Sequence, residues 1–174
     1  MIETARLILR PWRASDRAPF AALNADPDVM RLLGGVLSRD ASDAYVDRVE
    51  AHLAEHGFCK WAVEAPGVAP FVGAVGISYV RFQASFTPAV EVAWRLNRGY
   101  WGRGYATEAA QAAIDDGFNR AGLSAIVAMT VLDNHASIRV MQRLGMTRSI
   151  EFDHPNYQAG HKLCRHVLYR LERD

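Results

Sequence analysis

Arg98-Gly-Tyr-Trp-Gly-Arg-Gly-Tyr-Ala-Thr107 joins a strand-like stretch, residues 90–96, to the most regular helical pattern in the chain. Glycines let backbone N–H groups turn towards one point, and a helix N-terminus adds the positive end of its dipole. The segment therefore predicts an anion-binding turn whose natural occupant is a pyrophosphate, held by main-chain donors with Arg103 close by. A tight strand-to-helix turn without a ligand needs only one of these glycines, and it remains an alternative.

An amphipathic helix is predicted over residues 106–121, directly after this turn. Its small and apolar residues recur every three or four positions and share one face: Ala106, Ala109, Ala110, Ala113, Ile114, Gly117 and Phe118. Polar residues such as Glu108 and Gln111 face the other way, and Gly122 is placed to end the helix. This helix would pack its apolar face on a sheet.

Short β-branched and aromatic runs elsewhere predict strands, of which the second to fourth form a β-meander: residues 7–9, 60–64, 71–79, 90–96, 126–131 and 167–171. Capping residues predict three more helices: Ser15-Asp16 to before Asp26-Pro27, Ser38 to Gly57, and Asn134 to Leu144-Gly145. We find no linker or internal repeat. The chain is predicted to be a single α/β domain of the α+β type spanning residues 1–174.

The composition excludes several classes of protein. Half of the 174 residues are hydrophobic, which is too many for a disordered chain, and the formal net charge of +1 offers no basic field for nucleic acid or an anionic membrane. Two cysteines cannot form a disulfide framework, so a reduced, cytoplasmic setting is expected. The charged N-terminus and the broken apolar runs predict neither an export signal nor a membrane helix.

Glu91-Val-Ala-Trp-Arg-Leu96 and Trp101-Gly-Arg-Gly-Tyr-Ala-Thr-Glu-Ala109 resemble the acetyl-coenzyme A (acetyl-CoA) signature of the GNAT superfamily of N-acetyltransferases. The resemblance is to the branch of ribosomal-protein N-terminal acetyltransferases, and it continues in segments near both termini: Leu7-Ile-Leu-Arg-Pro-Trp12, Asn134-His-Ala-Ser137, Arg143-Leu-Gly-Met146 and His166-Val-Leu-Tyr-Arg-Leu171. In the superfamily's phosphate motif, Q/R-x-x-G-x-G/A, Trp101 occupies the Gln/Arg position and Gly104 and Ala106 match the small residues.

The resemblance implies a mixed, mostly antiparallel sheet of about seven strands, splayed at its centre and flanked by about four helices. Strand 90–96 would carry a bulge near Trp94–Leu96 and separate from the next strand, which opens a slot for the pantetheine arm of acetyl-CoA. The implied binding residues for this cosubstrate are Trp94, Leu96, Trp101, Gly102, Arg103, Gly104, Tyr105, Ala106, Thr107 and Asn134.

The implied activity is direct acetyl transfer to a primary amine, either a protein N-terminus or a small molecule, by a monomer or homodimer without a metal. Glu91 is the candidate base; a solvent-facing strand carboxylate and deprotonation through ordered water stay open. Ser137 is the candidate hydrogen-bond donor to the sulfur, and helix capping is its alternative. A backbone N–H of strand 92–96 would polarise the thioester carbonyl.

By the same resemblance, the acceptor pocket would be formed by the early helices and by the loops at residues 33–36, 82–87 and 154–161. Two other functions remain as alternatives: a non-catalytic module that binds acetyl-CoA, and a zinc peptidase built on His52 and His56, whose segment matches H-x-x-E-H. A dinucleotide site at Gly102-Arg-Gly104 is a minor alternative, because Thr107 replaces the third small residue of that fingerprint.

Overall fold

The computed structural model describes residues 1–173. Its strands are β1 (Ile2–Glu3), β2 (Ile8–Arg10), β3 (Lys60–Ala65), β4 (Ala69–Tyr79), β5 (Val90–Leu96), β6 (Ala125–Val131), β7 (Thr147–Asp153) and β8 (Arg165–Glu172). Its α-helices are α1 (Arg17–Asn24), α2 (Pro27–Met30), α3 (Arg39–His56), α4 (Tyr105–Asn119) and α5 (His135–Arg143). Short 3₁₀ turns span Ala14–Asp16 and Arg98–Tyr100.

The strands form one sheet in the order β1-β2-β3-β4-β5-β6-β8-β7, in which β5 and β6 are the parallel pair and the other neighbours are antiparallel. Between β5 and β6 only Glu91 and Val127 are in register, whereas β4 pairs with β5 from Val90 to Leu96. Beyond Glu91 the two strands diverge. The mixed, mostly antiparallel sheet with a central splay is therefore confirmed.

The bulge predicted near Trp94–Leu96 is absent, because β5 stays in register with β4 along its whole length. Gly73 of β4 permits this close pairing, since a Cβ atom there would lie 2.3 Å from the Arg95 carbonyl oxygen. On the other edge of β4, a Cβ atom at Gly76 would meet the Cys59 carbonyl oxygen, next to β3, at 2.1 Å. The splay arises on the other side, since β6 follows β8 along a full antiparallel ladder and leaves β5.

Residues 1–173 contain eight strands and five α-helices, whereas about seven strands and about four helices were predicted. Asp26-Pro27 not only ends α1 but also starts α2, because the Asp26 carboxylate accepts a hydrogen bond from the Asp28 N–H and Pro27 occupies the first helical position. The strand β7 was not predicted, since nearly all its residues are exposed and only Ile150 and Phe152 are apolar. The strand β1 has only two residues.

Different helices pack on the two faces of the sheet. Helix α4 buries Ala109, Ala113 and Ile114 against one face. Arg95 of β5 lies over the rings of Phe20 in α1 and Tyr45 in α3 on the other face. Side chains alternate along a strand, so Glu91 shares the α1/α3 face with Arg95. Within residues 1–173, no helix has both the length and the apolar character required to cross a bilayer.

Candidate active site

A cleft of about 570 Å³ opens where β5 and β6 separate. Nine of the ten residues predicted to bind acetyl-CoA line it: Trp94, Leu96, Trp101, Gly102, Gly104, Tyr105, Ala106, Thr107 and Asn134. Ser137 lines it as well. Arg103 does not; its guanidinium lies over the ring of Tyr100, 5.6 Å from the ring centroid.

The turn before α4 presents a row of free backbone donors. Within residues 1–173, no acceptor takes a hydrogen bond from the N–H groups of residues 102–107, and the first helical bond runs from the Glu108 N–H to the Gly104 carbonyl at 3.0 Å. Gly102 and Gly104 have φ values of +73° and +80°, a conformation that favours glycine, and no side chain caps the helix. These donors and the helix dipole fit a diphosphate.

The N-terminal segment braces this turn. The Arg6 side chain donates to the Arg103 carbonyl at 2.9 Å and to one Glu108 carboxylate oxygen at 2.7 Å, and the Thr4 hydroxyl donates to the other oxygen at 2.7 Å. Burial raises the pKa of Glu108, but the hydrogen bonds from Thr4 and Arg6 more than offset it, so the pKa lies below its ordinary value. Glu108, which the helical pattern assigned to the solvent face, thus fixes the start of α4.

Asn134 caps α5, as its position in the sequence predicted, because its side-chain oxygen accepts from the Ser137 N–H at 3.2 Å. Its amide group donates to the Thr130 hydroxyl at 2.8 Å and keeps one hydrogen for another acceptor. The Ser137 hydroxyl makes no hydrogen bond among the described residues, although it lines the cleft. Both residues therefore retain a donor on the wall of the cleft that faces β5.

The open edge of β5 forms the opposite wall. Because β6 departs after Glu91, backbone groups of residues 92–96 that would pair with a neighbouring strand face the cleft instead. One of them, the Leu96 carbonyl, accepts the indole N–H of Trp101 at 2.8 Å. The remaining edge is suited to hydrogen bonding with the amides of an extended ligand.

Arginines surround the cleft, and sequence reasoning missed them. Arg31, Arg95, Arg98, Arg139 and Arg143 line it, and Asp28, which pairs with Arg98, is the acidic residue in the same wall. The formal net charge of +1 for the whole chain gives no indication of this cluster. The signal available in the sequence was the spacing of Arg139 and Arg143, which puts both on one face of α5 just after Asn134. The cleft is thereby suited to a polyanionic ligand.

Glu91 lies outside the cleft lining, on the α1/α3 face, in an ion pair with Lys60 at 2.7 Å. Their side chains are 21% and 17% exposed. Burial lowers the pKa of Lys60, but the Glu91 carboxylate more than restores it, so Lys60 stays charged. Lys60 holds one carboxylate oxygen of Glu91, and the other makes no hydrogen bond within residues 1–173.

The three loops predicted to form the acceptor pocket lie against one another. The rings of Phe82 and His154 lie 4.4 Å apart between centroids, and a Cβ atom at Gly34 would lie 3.0 Å from the Tyr157 hydroxyl. The rings of His154 and His166 also pack together, with their centroids 4.8 Å apart. Burial is the main cause that lowers the pKa of both histidines, which are therefore neutral at neutral pH.

His52, the first histidine of the H-x-x-E-H segment, has a structural role. One ring nitrogen donates to the Phe58 carbonyl at 2.8 Å, and the other accepts from the Tyr79 N–H at 3.2 Å. A zinc ion would have to displace one of these bonds, and residues 1–173 contain no cluster of three potential metal ligands. Burial lowers the pKa of His52, which agrees with a neutral ring.

Because the folded-state pKa of His52 lies below that of the unfolded chain, the unfolded state takes up more protons as the pH falls. We expect the free energy of unfolding to decrease below about pH 6.5, by at most about 1.4 kcal/mol per pH unit for each such histidine. Urea unfolding between pH 7.5 and 5 measures this slope. His52→Gln should reduce the slope, whereas His135→Gln, at an exposed position, should preserve it; equal slopes in all three proteins would contradict this account.

Comparison with known proteins gives the family. The profile of the Acetyltransferase (GNAT) domain matches residues 6–147. The Bacillus subtilis protein YkkB is 33% identical over 144 residues, which cover 82% of this chain and 83% of YkkB. The Bacillus subtilis N-acetyltransferase YnaD is 30% identical over 148 residues, covering 84% and 82%. A GNAT-family acetyltransferase structure from Bacillus anthracis superposes with a TM-score of 0.78 at 26% identity, covering 98% of this chain and 97% of that one.

These matches agree with a splayed sheet, a glycine turn with free N–H donors and a basic cleft of a size suited to a long polyanionic ligand. The chain therefore belongs to the GNAT family of acetyltransferases, and acetyl-CoA is the acetyl donor of its N-acetyltransferase activity.

Proposed function

We propose that the chain acts as a single N-acetyltransferase domain that binds acetyl-CoA between β5 and β6 and transfers the acetyl group directly to an amine on the α1/α3 face. The observation that carries this proposal is the row of unpaired N–H groups at residues 102–107, on the same cleft as the open edge of β5. The N–H groups would hold the diphosphate, and the open edge of β5 would pair with the pantetheine amides.

Arginines in the cleft lining and Asn134 would complete the binding site. Arg139 and Arg143 line the cleft from α5, where their guanidinium groups are suited to phosphate. The free amide hydrogen of Asn134 is available to an oxygen of the pantetheine arm. Trp94 and Leu96 would contact the arm from β5.

Acetyl-CoA supplies an activated acetyl group as a thioester, and this chain supplies proton transfer and polarisation. The free carboxylate oxygen of Glu91 accepts a proton from the acceptor ammonium, directly or through water. A backbone N–H of residues 92–96 donates to the carbonyl oxygen as negative charge develops. CoA leaves as its thiolate, to which the Ser137 hydroxyl donates a hydrogen bond, since a serine hydroxyl is too weak an acid to give up its proton. The second proton that the amine loses on forming the amide passes to solvent or to this thiolate.

The acceptor is an amine, and we propose a protein N-terminus or a small-molecule amine. One neighbour in fold, described as ribosomal-protein-S5-alanine acetyltransferase from Vibrio fischeri, has a TM-score of 0.77 at 20% identity and covers 99% of this chain and 96% of that one. The loops that carry Phe82, His154 and Tyr157 pack together, and they would enclose an acceptor beside Glu91.

Thermal unfolding with acetyl-CoA, together with thiol release over a panel of amines, tests this function. Acetyl-CoA at 100 times its dissociation constant should stabilise the protein by about 2.7 kcal/mol, whereas NAD should not. Release of free CoA that depends on the amine would establish catalysis. Stabilisation without thiol release from any amine would favour the non-catalytic binding module, and no stabilisation would refute the cleft assignment.

A further inference from the structure

A second, smaller pocket of about 60 Å³ lies on the α1/α3 face, between α3, the start of β3 and the end of β4. Its lining residues are Tyr45, Arg48, Val49, His52, Cys59, Lys60, Ser78 and Arg81. The pocket is separate from the cleft between β5 and β6, and no residue lines both. Its volume accommodates a group about the size of a carboxylate.

The lining of this pocket is cationic. Arg48 and Arg81 form no ion pair within residues 1–173, and Lys60 has Glu91 as its one partner. His52 and Cys59 in the lining are uncharged at neutral pH, because burial lowers the pKa of His52 and raises the pKa of the Cys59 thiol to about 12. The pocket thus has three positive charges in its wall and no carboxylate.

Three acids of α3 are already paired with arginines outside the pocket: Asp47 and Glu50 bind Arg17, and Asp43 binds Arg39. A fourth, Glu55, does not line the pocket and lies 3.7 Å from the ring of His56. The unpaired guanidinium groups of Arg48 and Arg81 are therefore available to an anion from outside the chain. Arg48 is also positioned by its neighbour in the helix, since its guanidinium lies 5.9 Å from the centroid of the Tyr45 ring.

The pocket adjoins the proposed base. Ser78 in its lining is the cross-strand partner of Glu91, and residues paired in this way lie about 5 Å apart. Lys60 connects the pocket to Glu91 directly, because it lines the pocket and its ammonium lies 2.7 Å from a carboxylate oxygen of Glu91. A small molecule whose amine lies at Glu91 would extend a group a few bonds away into this pocket.

We propose that this pocket binds a carboxylate of the acceptor, so that the substrate is an amine carrying a carboxylate a few bonds from its nitrogen. The inference rests on the proposed function, because it takes Glu91 as the end of the site where the amine reacts. Arginine suits the role, since its planar guanidinium donates two parallel hydrogen bonds to a carboxylate. Lys60 adds positive charge between the two ends of the substrate.

Matched pairs of acceptors test the proposal: β-alanine, γ-aminobutyrate and an Ala-Glu peptide amide, each against its carboxamide counterpart. We expect the wild-type protein to have the lower KM for the carboxylate member of a pair. Arg48→Gln/Arg81→Gln should remove this preference, a change of about 10- to 100-fold in the KM ratio. The KM for acetyl-CoA and the rate with carboxamides should stay as in the wild type.

Arg39→Gln is the matched control, since Arg39 is an exposed arginine of the same helix that binds Asp43 outside the pocket. It should retain the preference for carboxylates. Equal KM values for both members of every pair, or a preference that survives in the double variant, would overturn the proposal while leaving the transferase activity intact.

Equilibrium binding of the same probes, measured in the presence of CoA without an acetyl group, does not depend on turnover. Tighter binding of the carboxylate members, lost in the double variant but not in Arg39→Gln, would support the pocket even if no amine were acetylated. That result would separate a failure of the proposed function from a failure of the carboxylate site. No binding advantage for any carboxylate would refute the site.

Discussion

An Ala106→Glu variant is expected to bind acetyl-CoA at least about 100-fold more weakly than the wild type, a loss larger than any change in the stability of the free protein. Ala106 is the second residue of α4 and lines the cleft, and its N–H is one of the free donors of the turn. A carboxylate in the first turn of a helix interacts favourably with the dipole, by about 0.3–1 kcal/mol. The same charge would repel a diphosphate and compete for its donors.

Isothermal titration with acetyl-CoA and thermal unfolding of the free protein measure the two quantities separately. Gln111→Glu is the control, because it adds the same charge at an exposed position of the same helix, outside the cleft. It should bind acetyl-CoA like the wild type. Unchanged affinity in Ala106→Glu would show that the start of α4 is not the phosphate site.

The fold was most predictable where the signal is local. Ser38 and Gly57 bound α3 as predicted, since a serine that accepts from the Ala41 N–H and a glycine at φ +74° mark a helix through their own backbone geometry. The glycine turn at residues 102–107 was predictable for the same reason. By contrast, β7 forms through pairing with β8, and its mostly exposed residues include only Ile150 and Phe152 as apolar positions, too few to predict a strand.

Contacts between distant segments were the part of the site that the sequence could not predict. Glu91 was identified as a candidate base, but its partner Lys60 lies on β3, with β4 between them in the sheet. Arg48 and Arg81 likewise come together only when α3 packs over the end of β4. Total charge cannot reveal such clusters, because nineteen acidic residues elsewhere balance the twenty basic ones.

Glu91→Gln tests the proposed base, and we expect kcat to fall by about 10²- to 10⁴-fold with little change in the affinity for acetyl-CoA. The loss should be greatest at low pH, where most of the acceptor amine is protonated and removal of its proton depends most on a base. As the pH rises and the amine deprotonates in solution, the deficit of the variant should shrink. Rates measured from pH 6 to 9 give this profile.

The ion pair complicates this variant, because Glu91→Gln leaves the partly buried Lys60 ammonium without its carboxylate and destabilises the protein. Lys60→Met/Glu91→Gln separates the two effects, since it removes the unpaired charge along with the base. We expect the double variant to recover the melting temperature that the single variant loses, but not its rate at low pH. Recovery of the rate together with stability would assign Glu91 a structural role, and an unchanged pH–rate profile in Glu91→Gln would remove it from proton transfer.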